Sequence, residues 1–168
     1  WPSSQTIKAG EFQCGSSTES GAGIIVVDGD LNIDKGSGDP NLTYASCTPS
    51  KLSQIPSAVW IIRGDLTIDP DITSLAGTFI VLGKTSVAKC PAVTVTNTNG
   101  CGRFSTGATD QQLIVNGSVI ARQFKFERSF SSAIGPSEQF VADGRLQANT
   151  PSGLLDFSKS VPRFSPSL

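Results

Sequence analysis

Acidic residues cluster at turns of the sequence, where carboxylates have the chemistry for metal binding or acid–base catalysis. The turn positions are Asp28 and Asp30 around Gly29, Asp65 after Gly64, and Asp69 and Asp71 around Pro70. Stacked carboxylates of this kind would offer the hard oxygen ligands that Ca²⁺ prefers. The spacing is not that of a calcium-binding loop, however, and Asp at a corner commonly accepts a hydrogen bond from a backbone N–H. We therefore predict turn-stabilising carboxylates and no metal or other cofactor.

The residues available for catalysis are limited. The chain contains no His, which excludes a Ser-His-Asp triad. Arg63, Asp65 and Asp69 are residue types that polysaccharide-cleaving β-solenoids use, but acid–base catalysis needs carboxyls held at a defined distance across a cleft. A chain of this length is short for a substrate-sized groove. The sequence predicts that the protein is not an enzyme.

Two arginines interrupt an apolar stretch near the end of the sequence. Every second residue from position 120 is large: Ile120, Arg122, Phe124, Phe126, Arg128 and Phe130. The phenylalanines predict that this face is buried, and buried arginines need partners. We expect Arg122 and Arg128 to form structural ion pairs with Glu138 or Asp156, because a carboxylate can accept two hydrogen bonds from one guanidinium.

The four cysteines indicate disulfides. No two of them have the C-x-x-C spacing of a zinc or redox site, and no His could complete a metal site. Four cysteines allow three pairings. We favour Cys90 with Cys101, which are close in sequence, and therefore Cys14 with Cys47. Disulfides are typical of proteins exported from the reducing cytosol.

Two N-x-S/T sequons and one polar loop are candidate carbohydrate features. Asn41 lies in a predicted loop and is a candidate glycosylation site, whereas Asn116 lies at a predicted tight corner, where a glycan is disfavoured. The loop 93–100, "VTVTNTNG", is either a solvated hairpin or a contact for a surface glycan. The hairpin is the simpler interpretation.

A weak repeat predicts the fold that would position these residues. The segments "GIIVVDGDLNID", "VWIIRGDLTID", "GTFIVLGKTSV" and "LIVNGSVIAR" align on Gly29, Gly64, Gly83 and Gly117. Each has apolar residues alternating with polar ones beside a glycine that would form a corner. This pattern predicts an all-β fold, a short parallel β-solenoid (β-helix) with disulfide-containing loop insertions. A β-sandwich is the alternative, because short strands separated by turns are ambiguous.

We expect one domain over residues 1–168. Residues 1–22 would form an N-terminal cap or arm, residues 23–130 the coils, and residues 131–168 a C-terminal capping segment and tail. The chain contains 38% hydrophobic and only 16% charged residues, with a net charge of −1. This balance predicts no nucleic-acid partner, and no apolar stretch is long enough for membrane insertion. The missing Met at position 1 favours a processed, secreted chain.

The second half resembles a known family. The stretches "LIVNGSVIARQFKFERSF", "PSEQF", "LQANTP" and "GLLDF" are similar to the final module of uncharacterised exported or cell-envelope β-solenoid-like proteins of candidate phyla radiation (Patescibacteria-type) bacteria. The resemblance covers residues 59–154 and is most specific over 113–138, with "PSE" where the family has "PAE". It implies a cell-surface location and supplies no catalytic residues.

These observations predict a structural role outside the cell. The ends of a β-solenoid carry unpaired strand edges, which need caps or invite another subunit. We therefore expect a secreted or cell-surface homo-oligomer of stacked subunits, forming an extracellular filament or layer by self-assembly. The alternative is an adhesin-type module that binds a surface glycan or protein.

Overall fold

The computed structural model describes residues 1–36, 40–87, 90–92, 100–131 and 135–154. Short β-strands dominate this part of the chain. They are β1 (Gln5–Lys8), β2 (Glu11–Phe12), β3 (Ala22–Val27), β4 (Leu31–Asp34), β5 (Thr43–Tyr44), β6 (Ser57–Ile62), β7 (Leu66–Ile68), β8 (Ser74–Val81), β9 (Arg103–Ser105), β10 (Leu113–Ala121), β11 (Gln123–Lys125) and β12 (Glu138–Val141). A single-turn helix, α1 (Arg145–Ala148), and 3-10 turns at Leu52–Gln54 and Ser152–Leu154 complete the described elements.

The strands form two five-stranded sheets and one small pair. The first sheet has the order β1-β4-β7-β9-β11, the second has the order β3-β6-β8-β10-β12, and β2 pairs with β5. Every strand pair in the described residues is parallel. Each strand of the first sheet is followed along the chain by a strand of the second sheet, with β2 or β5 between them in the first two cases. The predicted all-β class is therefore confirmed, with sheets that are parallel.

The core lies between the two sheets and is built from rows of apolar side chains. In the first sheet, Leu31 is in register with Leu66, which is in register with Phe104. In the second sheet, Trp60 is in register with Phe79, and their rings are stacked with centroids 6.2 Å apart. All five side chains are at least 98% buried. Alternation along each strand explains this pattern, because every second residue points toward the opposite sheet.

Two glycines allow the corners between the sheets to stack closely. A Cβ on Gly29 would lie 2.4 Å from the backbone nitrogen of Ser4, and a Cβ on Gly64 would lie 2.4 Å from the Gly29 carbonyl carbon. Any side chain at these positions would push neighbouring backbone segments apart. The glycines therefore set the spacing of consecutive corners, as the repeat predicts for these two positions.

The predicted alignment of Gly117 with these corners is wrong. Gly117 lies inside β10, where it is in register with Gly77 of β8. Both residues have positive φ, 146° and 130°, so both strands are locally distorted at the same level. The chain instead leaves the second sheet at Arg122, between β10 and β11. The apolar residues that flank Gly117 resemble those of Gly29 and Gly64, although Gly117 does not form a corner.

Both disulfides form in the pairing that the sequence favours. Cys14 bonds to Cys47 with a Cα–Cα distance of 6.5 Å, and Cys90 bonds to Cys101 with a Cα–Cα distance of 5.5 Å. Each bond ties a segment outside the two large sheets to the rest of the molecule. Within residues 1–22, expected to be an N-terminal cap or arm, β1 pairs along its whole length with β4. Within 131–168, β12 extends the second sheet.

Candidate functional site

The last strand of each sheet leaves part of the apolar interior exposed. Phe124 of β11 is in register with Phe104 and continues its row. Phe140 of β12 is in register with Val115 of β10, and Val115 with Leu75 of β8. Phe104, Val115 and Leu75 are completely buried. Phe124 and Phe140 occupy the next position in these buried rows, but no further strand follows either of them in its described sheet.

Three phenylalanines make a continuous surface at this end, which we call the terminal aromatic face: Phe124, Phe126 and Phe140. Their exposed fractions are 37%, 54% and 43%. Ring centroids lie 5.6 Å apart for Phe124 and Phe126, and 6.1 Å apart for Phe126 and Phe140. Phe104 lies beneath, 6.1 Å from Phe124 and 6.5 Å from Phe140. The face is thus held in place by contacts among its rings and with the core.

The opposite end of the second sheet is covered by the start of the chain. Val27 lies in the first strand of that sheet, β3, and is completely buried. The amino group of Trp1 donates a hydrogen bond to the Val26 carbonyl at 2.8 Å, and the Asp28 N–H donates to the Trp1 carbonyl at 2.8 Å. The Trp1 ring lies 6.4 Å from that of Trp60. The two ends of the molecule therefore differ: the covering segment at one end carries a single exposed ring, Trp1, which is 53% exposed, and the other end exposes three aromatic rings.

Arg128 anchors the segment between β11 and β12. Its side chain is 7% exposed, and its guanidinium donates to the carbonyl oxygens of Thr106 at 2.9 Å, Gln111 at 3.4 Å and Asp69 at 3.3 Å. Burial lowers the pKa of Arg128, while the carboxylates of Glu138 and Asp69 oppose this shift. The arginine therefore joins three separate segments of chain through their backbones, which fixes the loop that carries Phe126.

The predicted ion pair between Arg128 and Glu138 takes another form. The Glu138 Oε1 atom accepts hydrogen bonds from the backbone N–H of Arg128 at 3.1 Å and from the Thr106 hydroxyl at 2.8 Å. The guanidinium of Arg128 donates to carbonyl oxygens instead, because these oxygens face it where the chain turns away from the sheets. Asp156, the other predicted partner, lies outside the described residues. Thr106, fully buried, is a supporting residue that sequence reasoning missed.

A charged pair borders the terminal aromatic face. Lys125 Nζ lies 2.7 Å from Glu127 Oε1, and the Ser105 hydroxyl donates to Glu127 Oε2 at 2.5 Å. Burial acts to raise the pKa of Glu127, but the hydrogen bonds from Lys125 and Ser105 outweigh it, so the pKa is lowered. Both side chains are about three-quarters buried, with 24% and 22% exposed. The rim of the face thus carries one fixed positive charge and one fixed negative charge.

The predicted buried face from residue 120 onward is wrong for Ile120 and Arg122, which are exposed, whereas Arg128 is buried as predicted. β10 ends at Ala121 and β11 begins at Gln123, so Arg122 turns the corner and the alternation starts again. As a result Ile120 belongs to the outer surface and is 60% exposed, whereas Phe124 points toward the interior. Arg122 is exposed, and its Nη1 donates to the Val87 carbonyl at 2.9 Å.

The acidic corner residues bind backbone N–H groups of the next corner. Asp30 Oδ1 accepts from the N–H of Asp65 at 2.9 Å. Asp65 Oδ1 accepts from the N–H groups of Gly102 and Arg103, both at 2.8 Å, and Oδ2 accepts from Gly100 at 3.2 Å. The turn-stabilising role predicted for Asp30 and Asp65 is confirmed. Within the described ranges, no three His, Cys, Asp or Glu side chains are grouped to hold a metal ion.

The sequons lie in two different settings. Asn41 is half-buried, and its Oδ1 accepts hydrogen bonds from the N–H groups of Thr73 at 3.0 Å and Ser74 at 2.8 Å. The side-chain amide oxygen of Asn41 thus holds in place the segment that leads into β8. Asn116 lies within β10 and not at a corner as predicted. Of the loop 93–100, only Gly100 lies among the described residues.

A shallow cleft between α1 and the β5 loop is a second candidate site. It is lined in part by Tyr44, Pro49, Asp143 and Arg145. The Arg145 guanidinium lies 4.8 Å from the centre of the Tyr44 ring, and its Nη1 lies 3.0 Å from Asp143 Oδ2. Burial raises the pKa of Tyr44, whose hydroxyl accepts a hydrogen bond from the N–H of Ala58 at 3.2 Å. One face of the Tyr44 ring and the Tyr44 hydroxyl therefore both make contacts within the protein.

None of the known protein families, curated proteins or solved structures matches this chain. Among the described residues, no helix is long and apolar enough to cross a membrane. The terminal aromatic face, with its three exposed rings, is the main candidate for a functional site.

Proposed function

We propose that this protein is a secreted structural subunit, a short parallel β-solenoid that self-assembles into a cell-surface filament or layer, with the terminal aromatic face as one of its contact surfaces. The observation that carries the proposal is the exposure of Phe124, Phe126 and Phe140 at the end of rows that are otherwise buried. Apolar patches that project from a folded core at one place commonly mark contact sites.

The β-solenoid architecture is supported by the order of the strands. A coil would comprise one strand of the first sheet and the following strand of the second sheet, which gives five coils from β1 to β12. Parallel pairing throughout the described residues fits stacked coils, whereas β-sandwiches are built from antiparallel sheets. The stacked corners at Gly29 and Gly64 fit the same arrangement.

Self-assembly is supported by where the exposed apolar surface lies, at the end of two buried rows of the core. The three rings leave roughly 250–300 Å² in water, taking about 200 Å² for a fully exposed ring. Strands β11 and β12 each pair on one side in the described sheets. An exposed sheet edge beside an apolar patch favours association with another chain. An extracellular location is supported by the two disulfides, which persist in oxidising compartments.

An adhesin-type module that binds a surface glycan is the second candidate. The cleft at Tyr44 and Arg145 is the observation in its favour, since sugars commonly stack on aromatic rings. Arg145 covers one face of that ring, so a sugar would have to displace the arginine or use the cleft wall. Loss of glycan binding in Tyr44→Ala, with binding retained in the rim variant Lys125→Ala, would favour the adhesin over the structural subunit.

Electron microscopy tests the proposal directly. Negative-stain images of the purified chain at increasing concentration are expected to show ordered multimers, and immunogold labelling of cells that express it is expected to mark extracellular filaments or a surface layer. Images that contain only single 17.5 kDa particles at the highest concentration, together with labelling confined to the cell interior, would contradict the proposal.

A further inference from the structure

We infer that the terminal aromatic faces of two copies of this chain dock against each other, which makes a closed two-fold pair the unit of assembly. The inference rests on the self-association proposed above and specifies its geometry. It follows from the difference between the two ends of the molecule and from the charges at the rim of the face.

In the second sheet, the two ends of the molecule are not complementary to each other. A head-to-tail contact would place β12 of one copy beside β3 of the next, so that the second sheet continued from copy to copy. At β3, however, the Val26 carbonyl and the Asp28 N–H are already hydrogen-bonded to Trp1. Val27 is completely buried there, and Trp1 packs over Trp60. In the second sheet, the contact would therefore have to displace Trp1 before β12 could pair with β3.

The aromatic end of the molecule is able to pair with the same end of a second copy. In a two-fold contact, the same surface is used on both copies, so the surface must be self-complementary. Aromatic rings meet this condition, because edge-to-face packing needs no charge difference between partners. The last strands of the two copies would run antiparallel across the axis, which suits the edges of β11 and β12 that have no partner in the described sheets.

The charges of the rim are also self-complementary. Lys125 and Glu127 lie two residues apart and are 2.7 Å from each other. Antiparallel placement of two copies brings Lys125 of one toward Glu127 of the other, and the reverse contact forms at the same time. A surface with one sign of charge would repel its own copy, whereas this rim attracts it.

The size of the contact sets its strength. Roughly 250–300 Å² of aromatic surface per copy is the apolar centre of an interface, and the surrounding strand edges and rim add polar area. Standard stable interfaces bury about 800 Å² per partner. We therefore expect a reversible pair with a dissociation constant of roughly micromolar order. Any larger filament or layer would then join such pairs through their outward N-terminal ends or sides.

Photo-crosslinking of the full, oxidised chain tests this geometry. A benzoylphenylalanine at position 126 is expected to give a covalent dimer whose crosslinked peptides contain residues 123–127 or 138–141 of the other copy. The same probe at Leu52, which is 67% exposed and far from the face, is the control and should give no dimer. Crosslinks to residues 1–12 of the other copy would overturn the two-fold pair and leave self-association standing. Crosslinks that are only intramolecular, with a monomeric mass, would overturn both.

A charge exchange provides a second test that depends on the two-fold axis. Lys125→Glu makes both rim charges negative, and Glu127→Lys makes both positive, so each variant alone is expected to pair about tenfold more weakly. An equimolar mixture is expected to recover pairing, because each position then faces an opposite charge. Mixed pairs detected by native mass spectrometry support the inference. A mixture that pairs no better than the separate variants overturns it.

Discussion

Phe124 lies beside Phe104 in one row of the core, with ring centroids 6.1 Å apart, yet Phe104 is completely buried and 37% of Phe124 is exposed. The two residues have the same side-chain type, the same strand register and the same inward direction. They differ only in that another strand follows Phe104 and none follows Phe124 in the described sheet. Phe124 is therefore the last residue of a core row and not an ordinary surface residue.

Substitution of these two phenylalanines should therefore have unequal effects. Phe104→Ala is expected to lower the free energy of unfolding by about 3–5 kcal/mol, because it leaves a cavity in a closed core. Phe124→Ala is expected to lower it by about 1 kcal/mol, since much of its ring is already in water. Urea unfolding at submicromolar concentration, where chains are separate, measures both values. Equal losses in the free energy of unfolding would mean that the terminal aromatic face is covered in solution.

Removal of the Asp65 carboxylate should destabilise the fold without any metal being involved. Asp65→Ala leaves the N–H groups of Gly100, Gly102 and Arg103 without their acceptor, which is expected to cost about 2–4 kcal/mol. The matched control is Asp71→Ala, which removes an exposed carboxylate paired with Lys35 and should cost less than about 1 kcal/mol.

Urea denaturation compares the two variants. The outcome that would contradict the structure is a loss for Asp65→Ala no larger than that for Asp71→Ala. A loss for Asp65→Ala that depends on added calcium would also contradict it, because this carboxylate accepts hydrogen bonds from three backbone N–H groups.

Glu127 should contribute a pH-dependent term to stability. Its pKa in the folded protein lies below the ordinary value of 4.5, because hydrogen bonds from Lys125 and Ser105 outweigh its burial. A carboxyl with a lowered folded pKa stabilises the protein above the unfolded pKa, and the contribution is lost as the pH falls through the folded value. Wild type is therefore expected to exceed Glu127→Gln in stability at pH 7, with the difference vanishing in acid. A difference that grows as the pH falls would show the wrong sign.

The two disulfides should differ in their contributions. Cys14 and Cys47 close a segment with a sequence separation of 33, against 11 for Cys90 and Cys101. The chain-entropy estimate is about 3.7 kcal/mol for the longer loop and about 2.8 kcal/mol for the shorter. Replacing each pair by serines and comparing free energies of unfolding checks the order. A larger loss from the Cys90–Cys101 pair would mean that packing around Cys101, which is fully buried, dominates loop entropy.

Local chemistry was sufficient to predict part of this structure from sequence. The corners at Gly29 and Gly64 repeat the same order of apolar, polar and glycine residues, and both form as expected. The role of Asp65 also follows from its place beside a glycine corner. The disulfide pairing could be favoured because Cys90 and Cys101 are close in sequence, which leaves one partner for Cys14.

Features that depend on where a strand ends were harder to predict. Alternation across residues 120–130 assumes one uninterrupted strand, but Arg122 turns a corner and exchanges the inner and outer rows. Phe140 gave no signal of its own, because "EQFV" is a short strand whose side-chain direction is set only by pairing with β10. The exposure of the phenylalanines depends on their place at the ends of the described sheets, which no local pattern encodes.

Sedimentation equilibrium of the full chain is the measurement that tests the proposed self-association most directly. We expect the average molecular mass to rise with concentration from the monomer mass of 17.5 kDa to about twice that value. It also predicts that Phe126→Ser weakens association by at least about tenfold, while Leu52→Ser, at a comparably exposed site away from the face, leaves it unchanged. A monomer at every concentration, or association that Phe126→Ser and Leu52→Ser leave equally intact, would contradict the claim that this face binds a second copy.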